Sequence, residues 1–423
     1  MSRLLLTGNG AAAWGARLAR AEYVPAFPIT PQTEIVETLA DWSGRGEIDA
    51  RLVMMESEHS MVTAAGAAAS TGVRVFTATS SQGLMYAMEM VFAVPGYRAP
   101  FVLVNVSRGL QTPVTLEPDH TDVLAARDSG FLQLHCATCQ EVLDGTLIAY
   151  RLAEDARVRL PAIVNLDGFY LSFTREPVEL PTPAAVAGFL PEYDERLLHF
   201  RASEPLSQGV AVLGGSQYSY FRYEQHLAAL AALDAYGEIT AEFAARFGRA
   251  YPAVECYRSE DADIVYFMIG SFSTKARDAV DRLREAGQRV GLVRPRLLRP
   301  FPEEAIRAAL SGKRGVAVVD QNLSMGKGGV LHAELASALY GRADMPPVLA
   351  SFIAGLGGRD IAPEEFHEIA LATQRACDEG AAPPPRLLFT ADELRETRKL
   401  QALAHASALE AAARPQSGKE ANE

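Results

Sequence analysis

Apolar residues run along this chain in two rhythms. Short unbroken runs such as "RLVMM" (51–55), "FVLVNV" (101–106) and "PAIVNL" (161–166) predict strands buried on both faces. Between them, apolar residues recur at helical spacing, as with Ile35, Val36, Leu39 and Trp42 in "QTEIVETLADWSG". The two patterns alternate through residue 176, which predicts an α/β domain with a parallel sheet covered by helices on both sides. Residues 177–260 break the rhythm: "PVELPTPAAVAGFLPEY" reads as a surface linker, and "YSYFRYEQHLAALAALDAYGEITAEFAARFG" as one or two helices. Alternation returns over 261–388, predicting a second, smaller α/β domain in which "RVGLVRPRLL" is a strand. Residues 389–423 read as a charged, Ala-rich helix and a disordered polar tail, "RPQSGKEANE".

Composition narrows the function. A net charge of −12 argues against a nucleic-acid surface. No run of about 18 apolar residues is present, so no membrane span is expected. The three leucines after Met1-Ser2-Arg3 are too few for a signal-peptide core, so the expected location is cytoplasmic. Four cysteines argue against a disulfide framework. "CATC" (Cys136 to Cys139) has redox spacing, but Cys256 and Cys377 are isolated and no metal site is assigned.

Open parallel sheets bind ligands beyond the carboxyl ends of their strands. Those ends carry Thr30 in "FPIT", Glu56, Glu58 and His59 in "VMMESEHS", Gly83 in "FTATSSQG", Arg108 in "VNVSRG" and Asp167 in "VNLDG". A guanidinium matches a carboxylate with two parallel hydrogen bonds, so Arg108 with Thr30 is a candidate site for a small carboxylate. The prolines flanking Ile29 and Thr30 are expected to aim the threonine hydroxyl into that crevice. His59 reads as a hydrogen-bonder at a helix start, and His120 as an exposed loop residue, reactive or merely solvated.

Together, "FPITPQTEIVE", "MESEHS", "TATSSQGL", "NVSRG", "PDHTDVLAARDSGFLQL" and "NLDGFYLS" resemble the α subunit of the thiamine-diphosphate-dependent 2-oxoacid:ferredoxin oxidoreductases, the pyruvate:ferredoxin oxidoreductase family. "GSQYSYFRYEQH", "IGSFSTKARDAVDRLREAGQRVGLVRPRLLRPFP" and "FIAGLGGRDI" extend the resemblance over about residues 5 to 390, in matching order. It implies a pyrimidine-type thiamine-diphosphate domain followed by a domain resembling the transketolase C-terminal domain. It places Glu58 against the cofactor's aminopyrimidine ring, with Gly83 also at the cofactor. It gives Thr30 and Arg108 the substrate carboxylate, and Asp119, His120 and Asp122 the loop beside it.

Neither the family's Gly-Asp-Gly diphosphate motif nor its closely spaced cluster cysteines occur here. The resemblance therefore implies a divided enzyme. A β subunit would carry the diphosphate and Mg2+ site. A γ subunit, ferredoxin-like iron–sulfur subunits and an acceptor protein or NAD-linked subunit would complete it, with coenzyme A as co-substrate. The implied reaction is oxidative decarboxylation of a 2-oxoacid to its acyl-CoA. Pyruvate is the family's commonest substrate, but "GLQTPVTLEPDH" departs from the pyruvate enzymes and leaves an aromatic or branched oxoacid, such as phenylglyoxylate, open. A non-redox thiamine enzyme and a non-catalytic scaffold are the alternative readings.

Overall fold

The structure, a computed structural model, describes residues 2–193, 203–205 and 207–413. The polar tail lies outside them, as do residues 194–202. β1 (Ser2–Thr7) turns directly into α1 (Gly8–Leu18), capped by the Thr7 hydroxyl, which accepts from Gly10 N at 2.9 Å. Then come β2 (Tyr23–Ala26), α2 (Thr33–Gly44), β3 (Arg51–Met54), α3 (Glu58–Ala69), β4 (Phe76–Thr79), α4 (Ser81–Tyr86), α5 (Met88–Tyr97), β5 (Val102–Ser107), α6 (Thr121–Ala125), β6 (Leu132–His135), α7 (Cys139–Ala153) and β7 (Ala162–Asp167).

Strands β4, β5, β7 and β6 lie side by side and parallel. A bridge from Val75 to Tyr23 leads on to the parallel pair β2–β3. β5 shows why its sequence is an unbroken apolar run. Val102, Val104 and Val106 pack into a core with α1 and α7, while Leu103 packs on the other face with α3 and α5.

The expected linker at 177–193 is instead folded structure. β8 (Arg175–Leu180) pairs antiparallel with β1, Ser2 opposite Leu180 and Thr7 opposite Arg175. Pro177 is tolerated because this is a two-stranded ribbon, where one face of the strand needs no amide donor. α8 (Pro183–Phe189) buries Val186 and Phe189 in the α1–α7 core. α9 (Gly215–Phe247) is a single helix of 33 residues, ended by Gly248 at φ 73.

The second half contains β9 (Val254–Tyr257), β10 (Ile264–Phe267), α10 (Phe272–Glu285), β11 (Val290–Pro295), β12 (Leu297–Arg299), α11 (Glu303–Leu310), β13 (Gly315–Asp320), α12 (Val330–Leu339), β14 (Val348–Ile353) and α13 (Pro363–Glu379). β11, β10, β13 and β14 are parallel neighbours, with β9 antiparallel on β11. The stretch expected as one strand, "RVGLVRPRLL", splits in two. β12 leaves this sheet and pairs antiparallel with β6, Leu297 opposite Leu134. Val265, Phe267 and Val318 share one core with Leu103 and Ile163, so residues up to 385 pack as one unit.

The remaining residues form a second unit with β15 (Arg386–Leu387) and α14 (Ala391–Ala413). α14 opens with a capping box: Glu393 N donates to the Thr390 hydroxyl at 3.1 Å and Thr390 N to the Glu393 carboxylate at 2.7 Å. Among the described residues, no helix is long and apolar enough to cross a membrane.

Candidate active site

Polar residues interrupt the apolar strands where β5 and β7 end. Asn105 and Asn165 are paired across the two strands, as are Ser107 and Asp167. All four are essentially inaccessible to water, which is tolerable only where partners are at hand. Asn105 Nδ2 and the Ser107 hydroxyl both lie 2.8 Å from Asn165 Oδ1, and Asp122, at the second position of α6, is the further partner of Asn105 and Ser107. It accepts from Ser81 N (3.0 Å), Asn105 Nδ2 (3.1 Å), Ser107 Oγ (2.9 Å), Arg108 N (3.3 Å) and Val123 N (2.7 Å). This buried carboxylate locks together the ends of β4 and β5 and the start of α6.

Arg108 leaves that anchor with its guanidinium nearly covered, at 8% exposure. Nη1 donates to the Thr30 carbonyl at 2.5 Å and Nη2 to Gln82 Oε1, while Nε is buried with no partner. Burial lowers its pKa, against the opposing pull of Asp122. Thr30 and Arg108 are therefore brought together, but through the Thr30 backbone; the side chain of Thr30 is exposed. Its loop is held by amide side chains, Asn9 Nδ2 to Pro31 O at 2.8 Å and Gln32 Nε2 to Phe27 O at 2.7 Å. Pro31 precedes α2, which begins at Thr33, rather than lying in its first turn.

Glu58 is the first residue of α3, behind the N-cap Ser57, whose hydroxyl accepts from Ser60 N at 3.2 Å. Glu58 is 5% exposed, and its carboxylate has no hydrogen-bond partner among the described residues. It packs on Gly83: a Cβ there would lie 2.5 Å from Glu58 Oε1 and 2.6 Å from Thr79 Oγ1. The Thr79 and Ser80 hydroxyls are also buried and unpartnered. An unpartnered carboxylate and a buried, unpartnered hydroxyl meeting at one glycine, with the Ser80 hydroxyl next along the chain, suit a flat heterocycle with ring and amino nitrogens, such as an aminopyrimidine. Met54 at the end of β3, Tyr86 at the end of α4 and Phe92 on α5 are exposed apolar side chains, and the Tyr86 ring lies 6.5 Å from that of His59. His59, the second residue of α3, meets Glu89 at 3.2 Å on the surface.

His120 corrects the expectation of an exposed loop residue. It is 1% exposed, and its Nε2 meets Asp167 Oδ1 at 2.6 Å. Burial opposes its charge, but Asp167, with Asp119 and Asp122, raises its pKa; burial likewise opposes the charge of Asp167, whose pKa is nonetheless lowered by His120 and Ser271. The other Asp167 oxygen accepts from Ser271 N at 2.7 Å and from the Ser271 hydroxyl. Gly270, at φ 78, makes this possible, since a Cβ would sit 2.7 Å from the His120 ring. Neighbouring His135 is driven the other way, its pKa lowered by burial to about 3. Asp119 serves its own turn, accepting from Thr121 N at 2.7 Å. Gln82 and Ser271 lie inside stretches that carry the resemblance, but no role was assigned to either, because each reads locally as an ordinary helix start.

Cys136 and Cys139 are both buried, and burial raises both thiols above their usual pKa, away from the reactive thiolate. A cavity of about 1370 Å³, lined by Trp14, Arg17, Arg74 and Tyr193, shares no residue with the Glu58–Arg108 cluster.

Residues 14–240 match the family described as pyruvate flavodoxin/ferredoxin oxidoreductase, thiamine diP-bdg. The chain belongs to this family. Residues 262–366 match the pyruvate:ferredoxin oxidoreductase core domain II. Pyruvate synthase subunit PorA of Methanothermobacter thermautotrophicus is 41% identical over 370 residues, 88% of this chain and 95% of the relative. Ketoisovalerate oxidoreductase subunit VorA of Pyrococcus horikoshii is 38% identical over 377 residues, 89% of this chain and 95% of the relative. The fold is similar to a 2-oxoglutarate:ferredoxin oxidoreductase from Magnetococcus marinus, solved with 2-oxoglutarate, coenzyme A and succinyl-CoA bound. The TM-score is 0.67 at 21% identity, over 89% of this chain and 65% of that one. Family membership, the α/β fold and a 2-oxoacid oxidoreductase subunit, all expected from the sequence, are established by these matches.

Proposed function

We propose that this chain is the α subunit of a CoA-acylating 2-oxoacid:acceptor oxidoreductase, holding the aminopyrimidine half of thiamine diphosphate and the carboxylate of a monocarboxylic 2-oxoacid. The observation that carries this reading is the unpartnered carboxylate of Glu58, a residue only 5% exposed, resting on Gly83. When bound, the cofactor supplies the electron sink for decarboxylation. Glu58 would accept a hydrogen bond from a pyrimidine ring nitrogen and hold the shared proton there, favouring the tautomer that acts as the internal base. The Thr79 and Ser80 hydroxyls would complete the ring's polar contacts. Arg108 would take the substrate carboxylate, its buried Nε and remaining N–H groups being free to form a charge-assisted fork.

The loop after Arg108 supports the substrate class. "GLQTPVTLEPD" contains no Lys or Arg, and Val114 and Leu116 are exposed on it. A second carboxylate, as in 2-oxoglutarate, finds no partner there, whereas an apolar acyl chain does. Pyruvate and 2-oxoisovalerate are the leading candidates, in line with the names of the relatives, and an aromatic oxoacid is tested beside them. The diphosphate and Mg2+ would be held by a β subunit seated on the Met54–Tyr86–Phe92 surface, and the iron–sulfur clusters by further subunits.

The test is purification of the native complex followed by cofactor assay and CoA- and oxoacid-dependent dye reduction. Pyruvate, 2-oxoisovalerate, phenylglyoxylate and 2-oxoglutarate are compared side by side. Fastest turnover of 2-oxoglutarate would overturn the monocarboxylate assignment, and no turnover of any would overturn the catalytic one.

A further inference from the structure

Arg108 has two partners in the free chain, Thr30 and Gln82, and Gln82 is the more unusual. Its Oε1 accepts at once from Arg108 Nη2 and from the Ser81 hydroxyl (2.7 Å), while its Nε2 donates to the Leu110 carbonyl at 2.9 Å. The Ser81 hydroxyl is also 2.9 Å from the Gly109 carbonyl, and Ser81 N donates to Asp122. Ser81 holds a left-handed backbone, φ 48, a conformation costly for a serine and kept here by those bonds. One amide side chain thus grips the guanidinium with its oxygen and, with its nitrogen, the loop that follows the guanidinium.

This arrangement has a mechanical meaning. Arginine carries five donors, and its stem is free to rotate unless the head is fixed. The Thr30 carbonyl fixes one Nη, and the Gln82 oxygen fixes the other. Both partners are neutral acceptors, so they orient the fork without cancelling its charge. An acidic residue at position 82 would pair with Arg108 and compete with an incoming carboxylate. A glutamine aims the cation and leaves it electrostatically available.

We propose that Gln82 is a positioning residue for the substrate, setting the angle of the Arg108 fork and the height of the Gly109–Leu110 end of the acyl loop above it. This rests on the reading of Arg108 as the carboxylate-binding group. Loss of Gln82 then raises KM for the oxoacid while leaving cofactor affinity and kcat nearly intact. It acts through Arg108, so the two residues are energetically coupled.

The experiment uses the assembled complex with Gln82→Ala, Gln82→Glu, Arg108→Lys and the double variant Gln82→Ala/Arg108→Lys. For each, KM, kcat, thiamine diphosphate affinity and the inhibition constant of oxamate, a carboxylate that is not decarboxylated, are measured. Gln82→Ala is expected to raise KM and the oxamate constant about tenfold, with kcat within about threefold, the size of one charge-assisted contact. Gln82→Glu keeps the acceptor but is expected to weaken oxamate more than Gln82→Ala does, because its charge occupies the fork. In the Arg108→Lys background, Gln82→Ala is expected to add less than twofold. Full additivity in the double variant, or equal falls in kcat and cofactor affinity, overturns the positioning role. If Arg108→Lys weakens oxamate and Gln82→Ala does not, this inference fails and the carboxylate site stands. If neither does, the carboxylate assignment of Arg108 falls first and takes this inference with it.

Discussion

His120 Nε2 lies 2.6 Å from Asp167 Oδ1, and both residues are shut off from water. The pair joins the loop before α6 to the end of β7, and Ser271 ties it to the start of α10. His120→Gln is expected to destabilise the chain by about 3–5 kcal/mol, because it strands a buried carboxylate. The pH dependence follows from the two shifts. The raised His120 contributes fully below its unfolded value near 6.5 and is lost as pH climbs through its folded value. The lowered Asp167 contributes fully above about 4 and is lost as pH falls. Melting curves of wild type and variant should differ most between about pH 4 and 6.5 and converge on either side. A pH-independent gap would mean that the pair is not ionised.

Glu58→Gln keeps the shape of the side chain and removes the carboxylate. Assembly of the complex should survive, while turnover falls by roughly 10²–10⁴. Hydrogen–deuterium exchange at C2 of the bound cofactor should slow in parallel. Unchanged exchange would remove Glu58 from the proton-holding role.

Gly83→Ala places a methyl group within 2.5 Å of Glu58 Oε1 and 2.6 Å of Thr79 Oγ1. Alanine suits a helix better than glycine, so α4 itself should not suffer. The prediction is a folded protein with weakened cofactor binding, measured by titrating the depleted complex with thiamine diphosphate. Wild-type affinity in this variant would show that Gly83 is not part of the cofactor's wall.

Glu141 lies between Arg294 and Arg296 of β11 and the residue that follows it, at 2.6 and 3.0 Å. Burial works against its charge, but the two guanidinium groups outweigh burial and hold its carboxyl at about 2. A depressed carboxyl stabilises above its unfolded value near 4.3 and loses that contribution as pH falls toward 2. Glu255 still pairs both arginines in a Glu141→Gln variant, which should therefore lower stability at neutral pH by about 1.5–3 kcal/mol and flatten the acid limb of the unfolding profile. A variant as steep in acid as the wild type would place the titration elsewhere.

Much of the fold could be read in advance. Strands such as Val102–Ser107 and Ala162–Asp167 betray themselves because both faces are covered. β8 was hidden by Pro177 and the prolines that follow it, which mean a linker in most contexts, whereas Pro177 here lies in a two-stranded ribbon. The end of β11 and the short β12 read as one strand, since nothing local shows that Leu297 changes sheets. At the proposed site, Glu58, Arg108 and Thr30 stood out through linked motifs. Their supports did not. Gln82, Ser271 and the buried state of His120 depend on which loops meet in space, with separations of 26 residues for Gln82 and Arg108 and 104 for Asp167 and Ser271.

The place of β12 at the edge of the first sheet bears on how the chain is made. β6 precedes its partner by more than 150 residues, its register opposite Leu297 and Arg299 being closed only from the far half of the polypeptide. During synthesis the N-terminal half emerges with that edge bare, a strand of open amides and carbonyls able to recruit a neighbouring chain. The ribosome must deliver Arg299 before the edge is sealed. Splitting the gene between the two halves would therefore not yield two independent pieces: the first fragment would lack a wall, and only co-expression of the second would restore it.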